Sequence, residues 1–427
     1  MHEPTLLSQI IHPANLNQAY KQVMKNKGAP GIDDMPITAL KAHLALHKET
    51  LVHQLQRREY KPQPVKRVEI PKASGGVRLL GIPTVTDRFI QQAIAQVLTP
   101  IFDKQFHDNS YGFRPKRYAE MAILQALENM NEGYEWLVDI DLERFFDTVH
   151  HDRLMNIVAR TVTDGDVISL VRKFLVSGVM VQDEYQETII GTPQGGNLSP
   201  LLSNIMLHEL DKELANRDLR FVRYADDCLI FVKSDMAARR VMRSVSKFIE
   251  EKLGLIVNVT KSKVRRPEDE ETKFLGFGFY FDWNDRLYKA RPHKTSLQTL
   301  KFKLKCLTRR NWGVPTKSRV ERINSLLRGW VNYFKIGKMK KHLIQLDANI
   351  RVRLRMCIWK QWKTPKNRRK NLIKLGMNRY EAYKYSYTSK SYARVAYSWI
   401  LTTTITNQRL TKFGLISATE HYSNIHV

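Results

Sequence analysis

Residues 221–232 read Phe221-Val222-Arg223-Tyr224-Ala225-Asp226-Asp227-Cys228-Leu229-Ile230-Phe231-Val232. Two adjacent acids stand between apolar runs, Phe221-Val222 before them and Leu229 to Val232 after. That texture predicts two short β-strands joined by a tight turn that carries both carboxylates. An aspartate pair at a hairpin tip suits a divalent metal ion, because Mg²⁺ takes one or two protein carboxylates together with substrate phosphates. A solvated Asp-Asp turn has the same local sequence, and the motif alone favours it. The rest of the chain has to decide.

Two metal ions bridging nucleotide phosphates need a third carboxylate. The segment Val138-Asp139-Ile140-Asp141-Leu142-Glu143-Arg144-Phe145-Phe146-Asp147 offers candidates at the end of a predicted strand, Trp136 to Ile140. Two-residue alternation puts Asp139 and Asp141 on one face, while Asp147 reads as the cap of a following helix. Elsewhere the pattern predicts helices over 1–60, broken at Gly28-Ala29-Pro30-Gly31, and a strand–turn–strand from Val65 to Ile82 around Gly75-Gly76. A helix over 85–102 follows, then a Gly/Pro loop at 191–200 opening a helix to about Leu214. After the hairpin come a helix over 236–253 and strands near 255–259 and 274–281.

Beyond residue 286 the texture changes to basic helices. In 317–335, Val320, Ile323, Leu326, Leu327, Trp330, Val331 and Phe334 fall on one helical face, with Lys317, Arg319, Arg322, Arg328 and Lys335 as its polar side. Residues 286–427 hold 33 Lys and Arg against four acids, a net +29, whereas the whole 427-residue chain carries +28. All of the excess charge therefore sits in the last third. Solubility needs no such segregation, but a polyanionic partner does. Three scattered cysteines, Cys228, Cys306 and Cys357, argue against a disulfide framework or a structural zinc site. With no 18-residue apolar run and no basic, apolar leader at Met1-His2-Glu3-Pro4, the expectation is a cytoplasmic protein without a membrane partner.

The acid segment at 138–147, the loop Gly191-Thr192-Pro193-Gln194-Gly195-Gly196-Asn197-Leu198-Ser199-Pro200 and Tyr224 to Asp227 resemble motifs A, B and C of reverse transcriptases, in their order and spacing. Val257 to Lys263 resembles motif D, and Phe274 to Phe279 resembles motif E. Upstream, Ile70-Pro71-Lys72 through Gly76-Val77-Arg78 and Ser110 to Pro115 resemble the fingers blocks. Each is weak alone; seven in order are not. Gly28 to Asp33, Phe145-Phe146-Asp147 and Arg328-Gly329-Trp330-Val331-Asn332-Tyr333-Phe334 are similar to group II intron-encoded proteins, the last to the maturase (thumb, or X) domain. The likeness covers essentially the whole chain and is nearest the compact bacterial class C proteins. The paired cysteines of the family's HNH endonuclease are missing, so second-strand DNA cleavage is not expected.

The resemblance implies an α+β right-hand polymerase fold: fingers and an antiparallel palm sheet, then a basic helical thumb. The domains expected are 1–60 (N-terminal extension and start of the fingers), 61–285 (fingers and palm), 286–385 (thumb/maturase) and 386–427 (basic helical extension). Asp141, Asp226 and Asp227 match the family's metal ligands for two Mg²⁺ ions, with Mn²⁺ as a substitute and Asp139 as the competing choice. Lys72 and Arg78 match a triphosphate clamp. Phe146 matches a bulky gate against the ribose 2′-hydroxyl, with Phe145 as the possible substitute, and Gln194 sits beside the nucleotide sugar. Lys261 or Lys263 matches a residue assisting pyrophosphate departure. Arg319, Arg322, Arg328, Lys335, Arg351, Arg355 and Lys363 are the expected RNA contacts, with Trp312, Trp330, Tyr333, Trp359 and Trp362 divided between stacking on RNA and packing a core. The implied function is RNA-directed DNA synthesis with a maturase role, on a group II intron RNA, an RNA template with DNA primer, dNTPs and a DNA target site, in a bacterial cytoplasm. A domesticated or retron-like reverse transcriptase, or an RNA-binding splicing factor alone, are the competing readings.

Overall fold

The computed structural model describes residues 4–71, 75–182, 184–188, 190–191 and 195–425, and the chain divides into two compact units, 1–266 and 267–427. Among its described residues the first unit has eight strands: β1 (Val65–Pro71), β2 (Val77–Ile82), β3 (Trp136–Ile140), β4 (Val179–Val181), β5 (Glu184–Gln186), β6 (Arg220–Tyr224), β7 (Asp227–Val232) and β8 (Lys263–Arg265). One four-stranded sheet has the order β6-β7-β3-β8 and is antiparallel throughout, as expected of a palm. The other has the order β2-β1-β4-β5, with β1 and β2 antiparallel and β4 joined parallel to β1 by Val65 and Lys66.

Strands β3 and β7 bury Leu137, Val138, Ile140 and the whole run Cys228 to Val232, so they are central strands covered on both faces. Helix Ser199–Asn216 packs against β6 and helix Asp235–Phe248 against β3, β7 and β8. Their buried residues join Phe89, Ile90, Ile94 and Leu98 of helix Val85–Asp103 in one hydrophobic core. The strand expected near 255–259 does not form. Val257 makes a single bridge to Leu142, and the chain then turns at Asn258, whose carbonyl accepts from the amides of Lys261 and Ser262. The Asn258 side chain also accepts from Thr260 and from the Lys261 amide, local bonds that compete with a ladder. The strand is the later β8.

In the second unit, β9 (Phe277–Asp282) and β10 (Leu287–Pro292) form an antiparallel hairpin, and helices follow. The hairpin belongs with those helices rather than with a palm ending at 285, because the Phe277 ring lies 4.7 Å from that of Phe334. Helix Thr316–Phe334 buries Val320, Ile323, Leu327, Val331 and Phe334, five of the seven apolar positions expected on its core face. The C-terminal segment is integrated into this unit. Asp347, buried in helix Lys340–Gln361, accepts from the amides of Ala418 and Thr419 and the hydroxyls of Ser417 and Thr419, satisfying the exposed donors at the start of helix Ala418–Ile425. Among the described residues, no helix is long and apolar enough to cross a membrane.

Two arginines expected on the RNA are instead part of this framework. Arg319 is 1% exposed and donates to the carbonyls of Leu307, Arg309 and Trp312, closing the loop before its own helix. Arg355 is buried too, donating to the Ile405 carbonyl and to Asn407. Neither guanidinium is presented to a phosphate. Arg319→Ala should therefore lower stability by about 1–3 kcal/mol, since three carbonyls lose their donor. Arg322→Ala, at an exposed position, should stay within about 0.5 kcal/mol. Urea unfolding midpoints of the two variants test the contrast, and equal midpoints would remove Arg319 from the framework.

Candidate active site

The aspartate pair sits where the sequence places it, but the turn is tighter than two free acids at a tip. Tyr224 pairs with Asp227, so only Ala225 and Asp226 form the turn, and Asp227 already belongs to β7. Ala225 takes φ 57°, as a two-residue hairpin turn following the strand twist requires. The segment Asn109 to Gly112 braces the turn from behind. The Arg223 amide donates to the Asn109 carbonyl at 2.9 Å, and the Tyr111 amide donates to the Arg223 carbonyl at 2.9 Å. A side chain on Gly112 would lie 2.2 Å from the Ala225 nitrogen, so this close backbone approach admits glycine only.

Arg223 fixes the same turn from within the core. Its fully buried guanidinium makes two 2.6 Å bonds to Asp211, and others to Asn204, the Ser110 hydroxyl and the Ala225 carbonyl. Burial works to raise the Asp211 carboxyl, but the Arg223 charge and hydrogen bonds hold it below its usual range.

Asp141 follows the end of β3. Its amide donates to the Ser262 hydroxyl and its carbonyl accepts from the Asn258 amide, which fixes the backbone opposite the hairpin. Asp141, Asp226 and Asp227 line a cavity of about 370 Å³ with Arg78, Arg144, Phe145, Phe146, Asp147 and Lys261. Burial, and after it the Asp141 charge, raise the Asp226 carboxyl above its usual value, with Arg78 and Arg223 opposing. Lys261 lies 3.2 Å from the Asp141 carboxylate. Asp139 does not line the cavity. The strand alternation stops at Ile140, and Asp139 stays within β3, where burial pushes its carboxyl up to about 6 against the opposing charge of Arg265. Asp147 lies inside the short helix Phe145–Thr148 and lines the cavity; the helix His151–Ala159 is preceded by His150 without a side-chain cap, so the capping role expected of Asp147 is not met.

Among the described residues, no three His, Cys, Asp or Glu side chains converge tightly enough to hold a metal ion as they stand. The donor set nevertheless suits a hard divalent cation. Asp141, Asp226 and Asp227 face one cavity together with Asp147, and the burial and Asp141 charge that raise the Asp226 carboxyl are penalties that a bound cation would offset.

Residues 70–279 match the family profile described as reverse transcriptase (RNA-dependent DNA polymerase), and residues 297–376 match that of the group II intron, maturase-specific domain. The chain is 34% identical over 304 residues to Protein YkfC of Escherichia coli (strain K12), covering 62% of this chain and 80% of that protein. It belongs to the group II intron-encoded reverse transcriptases. It is also 32% identical over 310 residues to the Group II intron-encoded protein LtrA of Lactococcus lactis subsp. cremoris, covering 70% of this chain and 51% of LtrA, so it spans about half that relative's length. Reverse transcriptases of this family use divalent metal ions and act on nucleic acids, which accords with the acids gathered here.

Lys72 and Gln194 lie outside the described residues. Of the two phenylalanines, Phe145 is 2% exposed within the core, whereas Phe146 is only partly buried and packs edge-on against it at 5.2 Å. Lys263 is in β8 opposite Asp139, leaving Lys261 as the lysine of the cavity. Gly195 does make a close backbone approach, but to the Gly81 carbonyl of β2, 2.5 Å from where its side chain would be. Arg322, Arg328 and Lys363 are exposed, and Lys335 and Arg351 half-buried, in the second unit. Trp359 is core at 1% exposure, while the Arg319 and Arg322 guanidinium groups both stand over the Trp312 ring, at 4.9 and 5.2 Å.

Sequence reading missed two features. Neither Arg223 nor Asp211 was singled out, although an arginine inside an apolar strand is itself a signal. Arg144 was passed over as well: it lines the cavity at φ 48°, a left-handed conformation uncommon for a side-chain-bearing residue. Arg223→Met should cost about 3–5 kcal/mol, because it leaves Asp211 charged and buried. Arg223→Met combined with Asp211→Leu should regain part of that loss in urea unfolding. A double variant less stable than the single one would mean that the pair is not what braces the turn.

Proposed function

We propose that the protein is an RNA-directed DNA polymerase that also serves as maturase for a group II intron RNA, assisting its splicing and copying it into DNA at a target site. The observation that carries the polymerase reading is the single cavity shared by Asp141, Asp226 and Asp227, with Arg78 and Lys261 on its walls. Two Mg²⁺ ions, or Mn²⁺ in their place, held by those three carboxylates would activate the primer 3′-hydroxyl and stabilise the leaving pyrophosphate. Arg78 and Lys72 bind the incoming triphosphate, and Lys261 offers a further cation beside Asp141. Phe146, set by its edge contact with Phe145, crowds the position of a ribose 2′-hydroxyl and favours dNTPs. Gln194 contacts the nucleotide sugar.

The maturase reading rests on charge. Residues 286–427 carry a net +29, and the intron RNA supplies the phosphates to match. Arg322, Arg328, Lys335, Arg351 and Lys363 remain to meet the RNA once Arg319 and Arg355 are assigned to the framework. In this role the protein stabilises a folded RNA while the RNA performs the splicing chemistry.

Primer extension on an RNA template with dNTPs and Mg²⁺ should proceed with the intact chain and fall to background with Asp226→Ala; full extension by that variant would sink the assignment. Charge reversal at Arg322, Arg328 and Lys363 should weaken intron binding and flatten its salt dependence, by roughly 0.7–0.9 in log–log slope for each phosphate left without its cation. An unchanged slope would place the RNA on another surface.

A further inference from the structure

Helix Arg379–Ser386 lies beyond residue 376, where the maturase-specific match ends, and carries a feature that neither polymerase chemistry nor phosphate binding employs. Tyr380, Tyr383 and Tyr387 recur at helical spacing and are 78%, 54% and 61% exposed. The small residues Ala382 and Ser386 are fully buried, and the helix packs through that side on helix Pro365–Lys374. Large rings outside and small residues inside invert the usual amphipathic arrangement. Two of the rings adjoin, the Tyr383 and Tyr387 centroids being 5.4 Å apart, and the Arg369 guanidinium stands 5.6 Å over Tyr383.

The surroundings identify what such rings can take. Residues 363–394 contain ten Lys and Arg and one acid, Glu381, so an occupant must be anionic. Residues 379–387 contain no Leu, Ile, Val or Met, which removes the aliphatic bulk that would seat a protein helix or enter a bilayer. A duplex keeps its bases stacked on one another and offers no free base face along its length. An anionic chain with free π-faces answers both the charge and the rings.

We propose that Tyr380, Tyr383 and Tyr387 form a stacking platform for the unpaired bases of a single-stranded nucleic acid, with the flanking cations following its phosphates. Stacking and phosphate binding separate in their salt dependence. Removing a ring lowers affinity equally at every salt concentration, whereas removing a cation changes the slope.

The test uses the full chain and labelled short oligouridine, oligothymidine, an abasic oligonucleotide of the same length, and a duplex, titrated at several salt concentrations. Changing all three tyrosines to alanine should weaken binding of the base-bearing single strands about tenfold or more, with parallel salt lines. It should leave the abasic and duplex affinities unchanged. The triple phenylalanine variant should bind like the parent. Comparison of the uridine and thymidine arms tells whether RNA or DNA is the occupant; a ring-dependent loss in either supports the platform. Equal loss on the abasic or duplex ligand, no loss on any ligand, a changed slope, or a lowered melting temperature would overturn it. So would loss of binding to anionic lipid vesicles alone. The platform is read from oligonucleotide affinity and the polymerase site from primer extension, so either can fail or stand independently of the other.

Discussion

One buried ion pair underlies the catalytic turn. Arg223 and Asp211 are both withdrawn from water, an arrangement that costs several kcal/mol per charge unless every donor is satisfied. Here the guanidinium is nearly saturated, and its partners come from three separate parts of the chain: helix Ser199–Asn216, Ser110, and the Ala225 carbonyl of the turn itself. The pair therefore does more than join a strand to a helix. It sets the direction in which β6 hands over to the turn, and thereby where Asp226 and Asp227 point.

Asp141 reaches the same cavity from an independent support. Its backbone is tied to Asn258 and Ser262, the residues that prevent 255–259 from continuing as a strand. The local failure of regular structure is thus what fixes the third acid. A straight strand there would have offered ladder bonds to its neighbour and no hydroxyl to the Asp141 amide.

The hairpin and the strands of the palm sheet were legible in the sequence because each is an apolar run bounded by turn residues. The two acids at 139 and 141 were not separable that way, since alternation cannot show where a strand ends. The same holds at 277–292: a hairpin reads as sheet, but only the Phe277–Phe334 contact shows which unit it completes. Arg319 and Arg355 were misjudged for a related reason. Helical spacing shows that a side chain leaves the apolar stripe, yet the carbonyls of Leu307, Trp312 and Ile405 that capture these arginines come from loops and helix ends with no periodic signal.

The bracing of the turn also bears on how the two walls of the cavity are held. Ala225 is pressed against Gly112 and bonded to Arg223, leaving the acids no slack. The opposite wall carries Val77, Arg78 and Leu79 of β2, and its partner β1 joins β4 through the register pairs Val65–Val179 and Lys66–Met180. Arg78 and the carboxylates are therefore held by separate parts of the chain, the first by the β1–β2 ladder and the second by the core behind the turn.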